Sequence, residues 1–384
     1  MGCSDFRPFG WEQLNTVRIG VDGSAFVSKL TGIGNYSYNL LFAMAKQAPE
    51  HAFVVFTPQP LYVEFPEPNI SVYLDDTPFL NNIYYWKAFG LARTVQRDKV
   101  DVFWASSGVA PFFMPCPVVL TVYDFVYRQA PDTMSFRGRW FRRFNQPWWI
   151  RRACGVVTIA QAVADEMFNC YARVADAIVR PAVDESVFFP RSCKEIDSLK
   201  VKYGLSGRYN LIVGTLEPRK NVVLFVREYL NFRKAYPDIA MPLLVLVGAK
   251  GWRDGEIVRL LDSAEAEGIV QRLGYVPAED MPGLYSGAEL FFMPSRYEGF
   301  GMPILEARRC GCPVVCSDVP AMHEAGGLHA LYHEPTAEGI QWALEALYLR
   351  GECPQTEQTL AVDWSWSTGA NQLLTLLSSC GQAS

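Results

Sequence analysis

The chain has 384 residues, half of them hydrophobic and 20% charged, which supplies a large apolar core and excludes a wholly disordered polymer. Thirty-five Lys and Arg against 40 Asp and Glu give a net charge of -5, which argues against a dedicated nucleic-acid binder. Four histidines, and ten cysteines without a CxxC pair, exclude a zinc ribbon and a thioredoxin-type motif.

Residues 1–16 lack the basic start and apolar stretch of an export signal, and Phe6 stands where a myristoylation signal after Met1-Gly2-Cys3 needs Ser or Thr. Short apolar runs then follow in two series. The first is Val17–Asp22, Ala52–Thr57, Val100–Ala105, Val118–Tyr123 and Gly155–Ala160. The second is Leu211–Leu216, Leu243–Gly248, Ile269–Val276, Leu290–Pro294 and Pro313–Ser317. Runs of this length, rich in Val, Ile, Leu and Phe, predict strands buried on both faces of parallel sheets. Between them, spacings such as Tyr36, Leu40 and Met44 predict helices. Val102–Tyr123 is uncharged and long enough for a bilayer, but Ser106-Ser107-Gly108 and prolines 111, 115 and 117 predict two strands joined by a loop instead.

The expected division is an N-terminal domain over 1–186, a second over 187–363, and a C-terminal helix over 364–384 packing back on the first. The charged stretch Arg191–Lys202 falls at the expected break. Leu373, Leu374, Leu376 and Leu377 give the last segment its amphipathic face. Two doubly wound domains of this kind, facing an interdomain cleft, bind ligands beyond the carboxyl ends of their strands. Cys310, Cys312 and Cys316 flank a strand-like run and are expected to be small buried thiols in a reducing compartment, not metal ligands.

Phe136 to Arg152 holds six arginines and six large aromatics, with no acid between Asp132 and Asp165. Such interleaving predicts peripheral contact with an anionic membrane or a lipid-phosphate acceptor. The rival readings are aromatics in the core with arginines beside the acceptor, and a nucleic-acid patch that the acidic whole disfavours.

The most informative stretch is Pro294-Ser295-Arg296-Tyr297-Glu298-Gly299-Phe300-Gly301-Met302-Pro303-Ile304-Leu305-Glu306-Ala307. A glycine turn entering a helix offers bare N–H groups to an anion such as a diphosphate. Its two carboxylates suit sugar and ribose hydroxyls, although one of them at a helix start also serves the helix dipole.

This stretch resembles the E-x7-E signature of retaining GT-B glycosyltransferases of family 4. Gly214-Thr215-Leu216-Glu217-Pro218-Arg219-Lys220-Asn221 resembles that family's phosphate-binding loop, and Thr31-Gly32-Ile33-Gly34-Asn35-Tyr36 and Pro181-Ala182-Val183-Asp184 match in the first half. The resemblance implies an α/β GT-B fold of two Rossmann-like domains. It implies that Arg219 and Lys220 hold the donor diphosphate, that Gly32, Gly34 and Gly214 let backbone approach it, and that Glu298 with Gly299, Phe300, Gly301 and Met302 binds the donor sugar. Glu306 would take the ribose. Where many members carry His-Asp, this chain has Tyr123-Asp124; Asp124 is expected either to orient Tyr123 or an acceptor hydroxyl, or to cap the next turn.

The implied reaction moves a hexose from a nucleotide sugar, GDP-mannose or a UDP-hexose, to a glycan or polyprenyl-phosphate-linked acceptor in cell-surface polysaccharide synthesis. With no D-x-D triplet in the chain, no metal or other cofactor is expected. The implied location is the cytoplasm, peripheral at the inner face of the plasma membrane. Two alternatives stand beside this reading: a soluble disaccharide or glucan transferase, and a non-catalytic GT-B partner subunit, for which Tyr123 is the motive.

Overall fold

The computed structural model describes residues 16–30, 32–77, 82–131, 136–248, 255–355 and 364–382. Met1-Gly2-Cys3, Phe6, Thr31, Asp132 and the expected boundary at residue 363 lie outside the described residues.

The first sheet has seven strands, in the order β3-β2-β1-β4-β5-β6-β7. They are β1 (Arg18–Asp22), β2 (Ala52–Thr57), β3 (Ile70–Leu74), β4 (Val102–Ala105), β5 (Val118–Val122), β6 (Gly155–Thr158) and β7 (Ala177–Ile178). Its helices are α1 (Gly32–Gln47), α2 (Ile83–Tyr85), which runs through a π-helical turn (Trp86–Gly90) into α3 (Leu91–Asp98), then α4 (Val126–Gln129), α5 (Phe136–Arg152) and α6 (Gln161–Tyr171). β1 pairs in parallel with both β2 and β4, Ile19 lying opposite Phe53 and Val102.

The second sheet has six strands, ordered β10-β9-β8-β11-β12-β13. They are β8 (Tyr209–Val213), β9 (Leu243–Val247), β10 (Val270–Gly274), β11 (Phe291–Met293), β12 (Val314–Ser317) and β13 (Leu331–His333). Around them run α7 (Cys193–Tyr203), α8 (Val222–Ala235), α9 (Gly255–Ala266), α10 (Met281–Gly287), α11 (Met302–Arg309), α12 (Pro320–Gly326) and α13 (Ala337–Tyr348), and α14 (Trp366–Gln382) ends the chain. Phe225 and Tyr229 of α8, Leu244 and Leu246 of β9, Phe292 of β11 and Ile340 of α13 are buried in one cluster beside this sheet. The described chain forms two compact units, one of residues up to Thr121 with Trp148–Val157 and the part from Ala370, the other of Val122–Pro147 with Thr158–Gly369.

Each of the predicted apolar runs overlaps a strand, since parallel strands covered by helices on both sides are mostly apolar. β8 ends earlier than expected, at Val213, because Gly214 turns the chain at φ +148°. β3, β7 and β13 were not foreseen. β3 is a sheet-edge strand with Val72 and Leu74 exposed, and β7 and β13 are only two and three residues long. The charged stretch at the expected break is a helix, α7, started by a capping box of Ser192 and Glu195. Val102–Tyr123 is β4, a loop and β5, and among the described residues no helix is long and apolar enough to cross a membrane.

Leu373, Leu374 and Leu377 of α14 are buried, and Leu376 lies so close to Gly155 that a β-carbon there would sit 2.8 Å from its Cδ2. Cys380 is joined to Cys154 by a disulfide across Cα atoms 6.0 Å apart, a pairing not anticipated for a chain expected to hold reduced thiols. Cys310, Cys312 and Cys316 are buried and free.

Candidate active site

β8 and β11 are neighbours, and from this pair the chain continues outward in opposite directions, β9 and β10 to one side, β12 and β13 to the other. Such a reversal opens a crevice beyond the carboxyl ends of the two strands. Two segments enter it. Gly214 after β8 and Gly248 after β9 both turn at φ +148°, and a β-carbon on Gly248 would stand 2.1 Å from the Gly214 carbonyl oxygen. Backbone therefore touches backbone there, and a short 3-10 turn, Pro218–Lys220, carries Arg219 and Lys220 over the strand end. After β11, Gly301 at φ +109° starts α11, and no side chain caps that helix. Pro303 has no N–H and the Ile304 amide bonds the Gly301 carbonyl at 2.9 Å, so the first turn has the Met302 amide to offer another acceptor.

The two segments meet in an ion-pair triad. Lys220 Nζ lies 2.7 Å from Glu298 Oε1, and an Arg219 Nη1 contact of 2.6 Å closes on Oε2. Arg219 also donates to the Tyr297 carbonyl at 3.0 Å and to Glu217 Oε1 at 3.3 Å. All three charged side chains are largely buried, Glu298 at 9% exposure. Burial opposes the carboxylate charge, but Lys220 and Arg219 outweigh it and hold Glu298 down at about 2. Burial likewise opposes the guanidinium, and Glu298 with Glu217 raises its pKa above the ordinary value, keeping Arg219 charged. Two fixed cations beside the start of a helix can bind a diphosphate and stabilise its charge as it leaves. In the structure the anion that both cations hold is Glu298.

The other expected residues lie at varied distances from this triad's chemistry. Gly299 is packed against Tyr123, whose carbonyl oxygen would stand 2.1 Å from an added β-carbon. Asp124 accepts from the Val126 amide at 3.2 Å and faces Arg142 at 3.5 Å, so its carboxylate caps the turn into α4. The Phe300 ring is buried, edge-on to Trp364 at 6.4 Å, so that only its backbone can face a ligand. Met302 opens α11 and is half-buried. Glu306 accepts from the Tyr285 hydroxyl at 2.8 Å, and burial pushes its pKa up despite that bond. Gly32 and Gly34 belong to the other unit. There they open helix α1 instead of forming a loop, and a β-carbon on Gly34 would meet the Ala25 carbonyl at 2.9 Å while Gly32 has nothing within 4 Å.

One participant went unread in the sequence. The Tyr297 hydroxyl donates to Glu166 Oε2 at 2.9 Å and accepts from the Phe125 amide at 2.8 Å. Its only sequence signal is its place beside Glu298. Among the described residues no group of three potential ligands could hold a metal ion.

The basic-aromatic segment divides between the rival readings. Trp149 is core, its indole donating to the Ala110 carbonyl at 3.0 Å. Trp140 and Phe144 are exposed and stacked at 5.6 Å. Arg152 lies over Trp148 at 4.1 Å, and Phe112 and Phe113, both exposed, pack edge-on against the same indole. The side chains of Phe136, Arg137 and Phe141 lie outside the described residues.

Residues 197–353 match the family model of glycosyl transferases group 1. The O-antigen chain mannosyltransferase B of Escherichia coli is 39% identical over 186 residues, which are 47% of this chain and 47% of that protein. A D-inositol 3-phosphate glycosyltransferase of Jonesia denitrificans is 28% identical over 240 residues, 59% of this chain and 57% of that one. The chain spans about half the length of these curated relatives. The structure of HepE from Anabaena in complex with UDP and glucose superimposes with a TM-score of 0.65 at 17% identity, covering 96% of this chain and 99% of that one. That likeness shows the fold, GT-B.

Proposed function

We propose that the chain, whose residues 197–353 match the glycosyl transferases group 1 model, is a retaining glycosyltransferase that moves a hexose from a nucleotide sugar to a glycan or lipid-linked acceptor. The observation that carries this reading is the convergence of Arg219, Lys220 and Glu298 at the strand reversal of the second sheet.

Donor binding exchanges partners within the triad. The diphosphate takes Arg219 and Lys220, and Glu298, released from them, accepts hydrogen bonds from donor-sugar hydroxyls. As the sugar–phosphate bond lengthens, negative charge grows on the leaving oxygen, where both cations are already in place. The departing phosphate can then take the acceptor proton on the face it leaves, so no protein nucleophile is required. Tyr123 is a poor base near neutral pH, which suits that division of labour.

Mannose from GDP-mannose is the favoured donor sugar, on the likeness to a mannosyltransferase acting on O-antigen chains. A polyprenyl-phosphate-linked acceptor at the inner face of the plasma membrane fits the exposed Trp140 and Phe144 with the neighbouring arginines.

Thermal-shift titration with GDP-, UDP- and ADP-sugars tests the donor, since a ligand bound to the native state raises the melting temperature. A shift with one nucleotide class that Lys220→Ala abolishes is expected. Equal, negligible shifts with all three would overturn the proposal.

A further inference from the structure

We infer that Asn221 is a positioning residue for the cations of the triad: its bond with Arg296 locks the Arg219-Lys220 turn to the Glu298 segment while a diphosphate holds those cations, an assignment that rests on the transferase reading above. All of these residues lie in one compact unit.

Asn221 ends the 3-10 turn Pro218–Lys220 and starts α8, with φ 57° and ψ 20°. Among the described residues the other non-glycine residues at positive φ are Lys99 and Ala172, both exposed at helix ends, whereas Asn221 is 3% exposed. Asparagine tolerates this conformation, but glycine meets it with no side chain to bury. Backbone geometry alone therefore does not account for the residue. An asparagine at a helix start ordinarily accepts from an amide of the first turn, and this one makes no such bond. Both ends of its amide are engaged elsewhere. Nδ2 donates to the Pro335 carbonyl at 3.2 Å, and Oδ1 accepts from Arg296 Nε at 3.1 Å. A carbonyl on one side and a guanidinium on the other allow only that orientation of the amide.

Arg296 grips the cation turn at two points. Its backbone amide donates to the Arg219 carbonyl at 2.9 Å, and its side chain reaches Asn221. The residues on either side of Lys220 are thus both fixed to the segment that presents Glu298 two positions later. Pro335, just after β13, anchors the other end of the asparagine amide.

The other ties between the two segments run through charge. Arg219 holds the Glu298 carboxylate and the Tyr297 carbonyl, and Lys220 holds Glu298. A diphosphate takes over the carboxylate ties. It does not compete for Asn221, whose polar ends both face protein partners. The Asn221–Arg296 bond therefore persists at the moment Glu298 lets go, and it keeps both cations where the triad placed them. Cations held in advance need no reorganisation as charge develops, whereas side chains free to swing out must be ordered on binding.

The test uses the full chain, with GDP and UDP as calorimetric probes and hydrogen exchange of residues 294–299 as a second readout. Asn221→Gly keeps the backbone conformation and removes the side chain. Arg296→Met and Arg296→Gln are both uncharged and equally long, but only glutamine places a donor where the arginine Nε stands. Asn221→Gly and Arg296→Met should each weaken nucleotide binding at least tenfold, and Arg296→Gln should stay within threefold of the unmodified protein. Combining Asn221→Gly with Arg296→Met should cost no more than twofold beyond the weaker single variant, since both remove one bond. Equal losses with methionine and glutamine, losses that multiply in the combination, or binding within twofold of the parent in either Asn221→Gly or Arg296→Met would overturn the lock. Should the unmodified protein bind neither nucleotide, the transferase reading fails and exchange decides the lock alone. At least threefold faster exchange in Asn221→Gly and Arg296→Met, but not in Arg296→Gln, then keeps it, and equal rates in all of them overturn it.

Discussion

Lys220 and Glu298, 78 residues apart in sequence, stand 2.7 Å apart in a largely buried ion pair that Arg219 shares from the other side of the carboxylate. The pair sets a pH dependence with a definite sign. Glu298 is held at about 2 against an ordinary value of 4.5, so its contribution to stability is complete above the ordinary value and is lost as pH falls through the lower one. A shift of that size corresponds to about 3 kcal/mol. Glu298→Gln keeps the shape but takes from Lys220 and Arg219 the carboxylate they share, leaving Arg219 with Glu217, and it should lower unfolding free energy by a few kcal/mol at neutral pH. Urea unfolding at a series of pH values checks this. The gap between the two proteins should hold from neutrality to about pH 4.5 and shrink toward pH 2. A gap that stays constant to the acid limit would contradict the assignment of this charge.

The nucleotide response of the same variant separates a structural salt bridge from an anion site. With Glu298 neutral, a diphosphate can replace the carboxylate that Arg219 and Lys220 share, while Arg219 keeps its contact with Glu217. GDP or UDP, whichever the unmodified protein prefers, should therefore raise the melting temperature of Glu298→Gln more than that of the parent. Equal shifts would mean that the nucleotide does not reach these cations.

Tyr297→Phe removes one oxygen that both donates to Glu166 and accepts from Phe125. Glu166 keeps the bond from Gln129 at 2.7 Å, so the greater loss falls on the Phe125 amide. A buried donor left without a partner costs about 1–3 kcal/mol. Arg219 bonds the Tyr297 carbonyl, not the hydroxyl, so nucleotide affinity should be preserved while the urea midpoint falls. An unchanged midpoint would show that the amide finds another acceptor.

Much of this architecture was legible because parallel strands buried on both faces must be apolar along their whole length, and that leaves a mark in one dimension. An edge strand need not be, and β3, with Val72 and Leu74 exposed, left none, whereas β10, an edge strand of the second sheet, falls in the predicted run Ile269–Val276. The residue types of the triad were also legible, since a glycine turn, two basic residues and a carboxylate each sit directly after a strand. Their mutual pairing was not, because a contact between residues 78 positions apart depends on which strands become neighbours. The same holds for Asn221 with Arg296, 75 apart, and for Cys154 with Cys380, 226 apart. Asp124 was left open between two roles, and only the position of the Val126 amide shows that its carboxylate caps a turn.

The glycines give a test that needs no knowledge of the acceptor. Gly299→Ala would drive a β-carbon to 2.1 Å from the Tyr123 carbonyl oxygen, a rigid backbone atom, and Gly34→Ala would press on the Ala25 carbonyl at 2.9 Å. Both should destabilise the fold, so lost turnover in either says little about ligand contact. Gly32 differs, with nothing within 4 Å of an added β-carbon and a place at the start of α1 where φ is not positive. Gly32→Ala should therefore raise stability by about 0.4–1 kcal/mol, through the entropy of the unfolded chain. If Gly32 is glycine so that a phosphate can approach the backbone, the same variant should lose turnover by at least tenfold while melting no lower than its parent. Full turnover in a stabilised Gly32→Ala protein would leave only a conformational reason for the glycine and would withdraw it from the donor site.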